Sequence, residues 1–114
     1  MRVTYERRDI ILADVVFSGG LGSKARPIVI LSTEVYNQSG VKLIGAAITS
    51  NLFALHRPGD ILLNDWSAAG LLLPSAVRGI IVTVDQIDVH RILGIMSAPD
   101  FAEVEKELIE ILGF

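Results

Sequence analysis

The sequence contains no cysteine, one tryptophan, two histidines and four prolines in 114 residues. Without cysteine there is no disulfide scaffold, no thiol nucleophile and no thiolate-held zinc, and a reducing interior is the natural setting. His56 and His90 stand far apart, with no third ligand at metal-like spacing and no His-Glu-x-x-His pattern, so neither a metal nor another cofactor is expected. No apolar run approaches the roughly 18 residues of a membrane span. The start, MRVTYERRD, has charges with no apolar stretch behind them, so no signal peptide is read there. These absences lead to the expectation of a cytoplasmic protein that does not engage membranes.

What is present is 51% hydrophobic, with a mean hydropathy of +0.52. That is enough to bury one core, so a single domain over residues 1–114 is expected. It is also high for a lone monomer of this size, which points to a second copy or a partner covering part of the surface. The net charge of −3 runs against a nucleic-acid ligand at first sight. From Pro99 onward, however, five acids face one base, Lys106, whereas residues 1–98 hold nine bases and eight acids. Seven of the ten bases are arginines, the residue type suited to bidentate phosphate contacts.

Short β-branched runs, Asp9 to Val16 (DIILADVV) and Pro27 to Leu31 (PIVIL), read as strands flanking a glycine-rich loop, Phe17 to Lys24 (FSGGLGSK). Lys42 to Thr49 reads as a third strand, in which Gly45 marks a bulge or a close backbone approach. Ile61 to Leu63 is a short strand after the turn signal Arg57-Pro58-Gly59-Asp60. Asn64 to Gly70 fits a single helical turn, with Trp66 packing beneath it. Pro74 to Arg78 and Ile80 to Asp85 look extended, and Gln86 to Met96 fits either a short helix or an edge strand. Ser97 is placed as the N-cap of a closing helix, with Asp100 completing a capping box. Phe101, Val104, Leu108, Ile111 and Leu112 form its apolar stripe, and Gly113 is its stop. The sum is an α+β, mainly antiparallel, barrel-like domain of five to seven strands.

The glycine loop is not a nucleotide P-loop, because Ser23-Lys24 is followed by Ala25-Arg26-Pro27 and a β run rather than a helix. Arg26 opens a strand beside that loop, where it could form a surface ion pair or bind an anion. Thr49 and Ser50 end the third strand, where hydroxyls commonly bond turn amides or serve a site.

Read in order, DIILADVVFSGGLGSKARPIVIL, AAITSN, RPGDILLNDWSAAGLLLPSAVRG and the capped acidic helix resemble the MazF/PemK family of toxins from bacterial toxin–antitoxin pairs. The marks are the Asp-Ile strand start, the Gly/Ser loop, the K-x-R-P-x-[VI] strand and the hydroxyl pair closing the third strand. The resemblance covers nearly the whole chain. It implies an SH3-like small antiparallel barrel with a C-terminal helix, the MazF/PemK/CcdB-like toxin fold, in a homodimer. It further implies a metal-independent endoribonuclease that cuts single-stranded RNA to 2′,3′-cyclic phosphate and 5′-hydroxyl ends, restrained by a cognate antitoxin protein.

By the same resemblance Arg26 and Thr49 are the catalytic residues, Arg26 on the scissile phosphate and Thr49 on a phosphate oxygen or the 2′-hydroxyl. Phe17, Ser18, Gly19, Gly20 and Lys24 correspond to a segment covering bound RNA, in which Phe17 stacks on a base. Ser50, Asn51, His56 and Arg78 complete the RNA-contacting set. Two positions depart from the pattern. Ile80 stands where one branch has an acid two residues after the Arg78 position, and Arg8 stands where a glycine is common. Two non-catalytic readings are the alternatives. One is a gyrase-poison-like toxin, whose relatives carry a tryptophan near the C-terminus where this chain has Leu112-Gly113-Phe114. The other is an inactive regulatory relative.

Overall fold

The computed structural model describes residues 4–16, 24–55 and 58–114. The near-continuous apolar run after Asp9 builds a strand buried on both faces, β1 (Asp9–Val15). Ile10 turns to one side of the sheet and Ile11, Ala13 and Val15 to the other. This is the period-2 alternation of a strand with apolar layers on both sides.

Five further strands follow: β2 (Lys24–Ile30), β3 (Lys42–Thr49), β4 (Ile61–Leu62), β5 (Ala76–Asp85) and β6 (Val89–Ile95). All pairings are antiparallel, in the order β4-β5-β3-β2-β1-β6. The result is the mainly β architecture expected, although β4 and β6 are edges of an open order rather than partners that close a barrel. The sheet curls enough for β1 and β5, three places apart, to come into contact.

Two cores result. On one face Ile10, Val29, Ile48, Leu71 and Met96 pack against Phe101, Val104 and Leu108 of the closing helix, α2 (Ala98–Leu112). Each large apolar side chain buried this way contributes about 1.5–3 kcal/mol. On the other face Ile11, Val15, Ile28, Ile30, Leu43 and Val84 form the second core inside the curl. Gly45 is a close approach: a Cβ there would stand 2.4 Å from Cγ2 of Ile28 and 2.6 Å from the carbonyl oxygen of Val29.

Several elements depart from the sequence reading. The second strand starts at Lys24 rather than Pro27, because Lys24 to Pro27 pair with Val15 to Leu12. Residues 64–70, by contrast, make the single turn expected: the Ala69 N–H reaches the Asp65 carbonyl (3.1 Å), and Gly70, at φ +88°, stops any continuation. Trp66 does pack partly buried on the first core. Residues 76–85 run as one strand, and the ambiguous 86–96 stretch resolves into a 3₁₀ turn (Gln86–Asp88) and edge strand β6.

A four-residue helix, α1 (Glu34–Asn37), was not anticipated. It is anchored by buried Asn37, whose amide donates to the carbonyls of Ser32 (3.1 Å) and Tyr5 (3.2 Å). In α2, Leu112 departs from the expected stripe and is exposed, whereas Ile111 beside it packs on the first core. Ser97 caps α2 as expected, its Oγ accepting from the Asp100 N–H (3.3 Å), and Gly113 ends it at φ +80°. The Asp100 carboxylate does not close a capping box. It accepts instead from the backbone N–H groups of Asn64 (3.1 Å) and Asp65 (2.8 Å).

Arg8 adopts φ +81°, the left-handed conformation that glycine takes at least cost. The strain, of order 1–3 kcal/mol, is offset by its guanidinium, which donates to the Met96 carbonyl from Nε (3.1 Å) and Nη2 (2.9 Å). The backbone of Arg8 also bonds Ile30 and Met96, so this residue ties the end of β2 to the end of β6. An arginine thus keeps a glycine-like backbone geometry at the entrance to β1.

Asp9 is buried, and burial pushes its carboxyl above the usual 3.8; the N–H bond it accepts from Glu6 opposes that shift, and the Glu6 charge adds to it. A raised folded value means that the native state holds the proton more tightly than the unfolded chain. Stability from this group is therefore lost as pH rises from about 3.8 through the raised value, and then levels. Asp9→Asn is expected to remove this slope. Urea midpoints of both proteins between pH 3 and pH 7 check it: the wild type should lose ground to the variant as pH rises, and a constant difference would overturn the assignment.

Candidate functional site

Pro27 sets the backbone where β2 leaves the core, so Lys24, Ala25 and Arg26 extend along β1 with exposed side chains. On the strand next to β2, β3, the chain ends its extended run at Thr49. There Thr49 Oγ1 accepts the Asn51 N–H (3.1 Å) and Asn51 Oδ1 accepts the Phe53 N–H (3.3 Å). Because its oxygen serves as an acceptor in this turn, the Thr49 hydroxyl is held in place with its proton available for donation.

Arg26, Thr49, Ser50 and Asn51 line one cleft of about 540 Å³. Leu12, Pro27 and Ile48 supply apolar lining from the sheet, and residues 70–73 supply more from the turn before β5. That turn lies backbone to backbone on β6. A Cβ on Gly70 would stand 2.1 Å from the Leu93 carbonyl oxygen, and one on Gly94 would stand 2.3 Å from that of Ala69. Buried Ser75 steadies the turn, its hydroxyl donating to the Leu73 carbonyl (2.7 Å).

Among the described residues, the charged ones lining the cleft are Arg26 and Arg91, and no carboxylate joins them. A net-negative chain therefore presents a positive, partly apolar cleft with hydroxyl and amide donors. That combination suits an anion carrying apolar or aromatic groups.

Lys24 is exposed at the start of β2 and does not line the cleft. Arg78 is not among the lining residues either; it is largely buried against Asp60, with Nε 3.3 Å and Nη2 3.4 Å from the carboxylate oxygens. The acid beside Arg78 thus comes from the turn before β4, while Ile80 is partly exposed. Phe17, Ser18, Gly19, Gly20 and His56 lie outside the described residues. His90 pairs with Asp14 at 2.8 Å. Sequence reasoning missed Arg91 and the 70–73 wall. The available signal was a lone arginine in the apolar run VHRILGI, which becomes readable once that run is taken as an edge strand.

These features define a small, mainly β domain with a positively charged cleft at its strand ends. Residues 6–112 match the family described as PemK-like, MazF-like toxin of type II toxin-antitoxin system. MazF from Deinococcus radiodurans has the same fold, with a TM-score of 0.78 at 21% identity, covering 99% of this chain and 100% of that one. Mycobacterium tuberculosis toxin MazF-mt6 gives 0.75 at 23% identity, covering 94% and 98%. An endoribonuclease in complex with its cognate antitoxin, from a Mycobacterial species, gives 0.73 at 17% identity, covering 97% and 95%. No curated protein matches the chain. The chain belongs to the PemK/MazF family of toxins of type II toxin–antitoxin systems.

Proposed function

We propose that this toxin is an endoribonuclease that cuts single-stranded RNA without a metal ion, leaving 2′,3′-cyclic phosphate and 5′-hydroxyl ends. The observation that carries the reading is the meeting of Arg26 from β2 with Thr49, Ser50 and Asn51 from the end of β3 in one cleft. In this reaction the 2′-oxygen bonds to the adjacent phosphorus as its proton leaves to water, the bond from phosphorus to the 5′-oxygen breaks, and that oxygen takes up a proton. Negative charge gathers on the phosphoryl oxygens in between. The Arg26 guanidinium supplies donors to that charge, and a well-placed donor is worth about 2.7–4 kcal/mol of barrier. Arginine holds its protons firmly, so Arg26 acts as an electrostatic donor rather than a base. Thr49, fixed through its acceptor side, donates to a phosphate oxygen or orients the 2′-hydroxyl.

The solved antitoxin complex of a similar protein supports a cognate antitoxin as partner. So do two exposed apolar side chains, Leu72 in the cleft wall (92% exposed) and Phe53 two residues beyond Asn51 (93%). A second copy of the chain is the other partner proposed for this surface. The test is incubation of the purified protein with a long single-stranded RNA in EDTA, followed by mapping of the fragment ends. Cuts at a recurring short sequence with cyclic-phosphate ends are expected. RNA left intact, or cut only when magnesium is restored, would overturn the reading.

A further inference from the structure

Arg91, on β6, enters the same cleft from the other side of β1. Arg26 lies opposite Ala13 and Arg91 opposite Leu12, so the two project from opposite faces of the sheet on either side of β1 and meet only in the lining of the cleft. Two strand spacings of about 4.8 Å put the two backbones roughly 10 Å apart. Two long side chains at that separation can hold two different phosphates of one strand.

The local structure sets Arg91 apart in two ways. Its pair with Ile92 lies between residues without a partner on β1: the register skips Leu93 on one side and His90 on the other. One-residue bulges of this kind bend an edge strand and re-aim its side chains, and they recur beside binding sites. In addition, Arg91 is exposed and makes no hydrogen bond or ion pair among the described residues. Arg7, Lys42 and Arg78, by contrast, are each held by a carboxylate, and Arg8 by a carbonyl. The full donor fork of Arg91 is thus available to a ligand within a cleft lined by no described carboxylate.

We infer that Arg91 is a second phosphate-binding residue, holding a backbone phosphate of the RNA other than the one at Arg26. The inference rests on the RNA reading above and adds the length of strand engaged: at least two phosphates, spanning β1.

The experiment uses a fluorescent 2′-O-methyl oligoribonucleotide pool, which lacks the attacking hydroxyl and so reports binding alone. Wild type, Arg26→Ala, Arg91→Ala and Arg91→Lys are titrated with it over a series of salt concentrations. Each phosphate contact on a single strand contributes about 0.7 to the slope of log K against log salt. Arg91→Ala should therefore be shallower by about that amount, Arg91→Lys should restore it, and Arg26→Ala should lose a separate increment. A slope unchanged in Arg91→Ala, with RNA still bound, overturns the inference and leaves the nuclease reading standing. The same unchanged slope with weakened binding of poly-glutamate would reassign Arg91 to an acidic protein partner and overturn it equally. A wild type that binds no RNA removes both readings. RNA that is bound but left intact in EDTA removes only the nuclease reading.

Discussion

Arg26→Ala is expected to lower RNA cleavage by about 10²–10³-fold, the loss that follows when one donor to a developing oxyanion is removed. The side chain is exposed where β2 leaves the core, so its removal opens no cavity and the fold should persist. Far-UV circular dichroism and the urea midpoint should accordingly match the wild type. Arg26→Lys separates charge from geometry: it keeps a cation but loses the planar fork that grips two oxygens. Its rate should fall between the other two. Initial rates on one oligoribonucleotide containing the mapped cleavage site measure all three, and an Arg26→Ala rate within a few-fold of wild type would place the reacting phosphate elsewhere.

Asp100→Ala should give the largest loss of stability, about 2–4 kcal/mol. One carboxylate oxygen accepts the Asn64 N–H and the other the Asp65 N–H, and the residue is 3% exposed. Hydrogen bonds to charged groups are worth roughly 1.5–3 kcal/mol each, and buried donors left without a partner add their own penalty. The carboxylate also sits in the first turn of α2, where the helix dipole favours a negative charge. Asp100→Asn keeps one acceptor oxygen and should lose roughly half as much. Ser97→Ala, which removes only the N-cap, should cost about 1 kcal/mol. Urea denaturation of the three variants gives the ranking; an Asp100→Ala loss below that of Ser97→Ala would refute it.

The parts of this fold that were legible in the sequence are those governed by local periodicity. β1 and β3 stood out as β-branched runs, and α2 as an apolar stripe between a serine cap and a glycine stop. Arg26 and Thr49 could be chosen because each sits at a strand boundary marked by its own neighbours, Pro27 and the Thr-Ser-Asn triplet. Long-range features were not legible. Asp100 looked like the second half of a capping box because sequence spacing shows the helix terminus but not Asn64 and Asp65 folding back onto it. Four-residue α1 is held by Asn37 bonds to Ser32 and to distant Tyr5, which leave no periodic pattern. Arg91 joined the cleft only through pairing of β6 with a strand nearly 80 positions earlier in the chain.

The Asp100 clamp also links two parts of the molecule that lie some 35 residues apart in the chain. Its carboxylate fastens the first turn of α2 to residues 64–65. The turn that begins there continues through Gly70, pressed onto Leu93, into the Leu72–Leu73 wall of the cleft. Fraying of the helix start therefore loosens that wall, and whatever grips the wall steadies the helix. In deuterium exchange, the amides of Asn64, Asp65 and the first turn of α2 should open as one unit, and an occupant of the cleft should slow them together, although the helix lines no part of it.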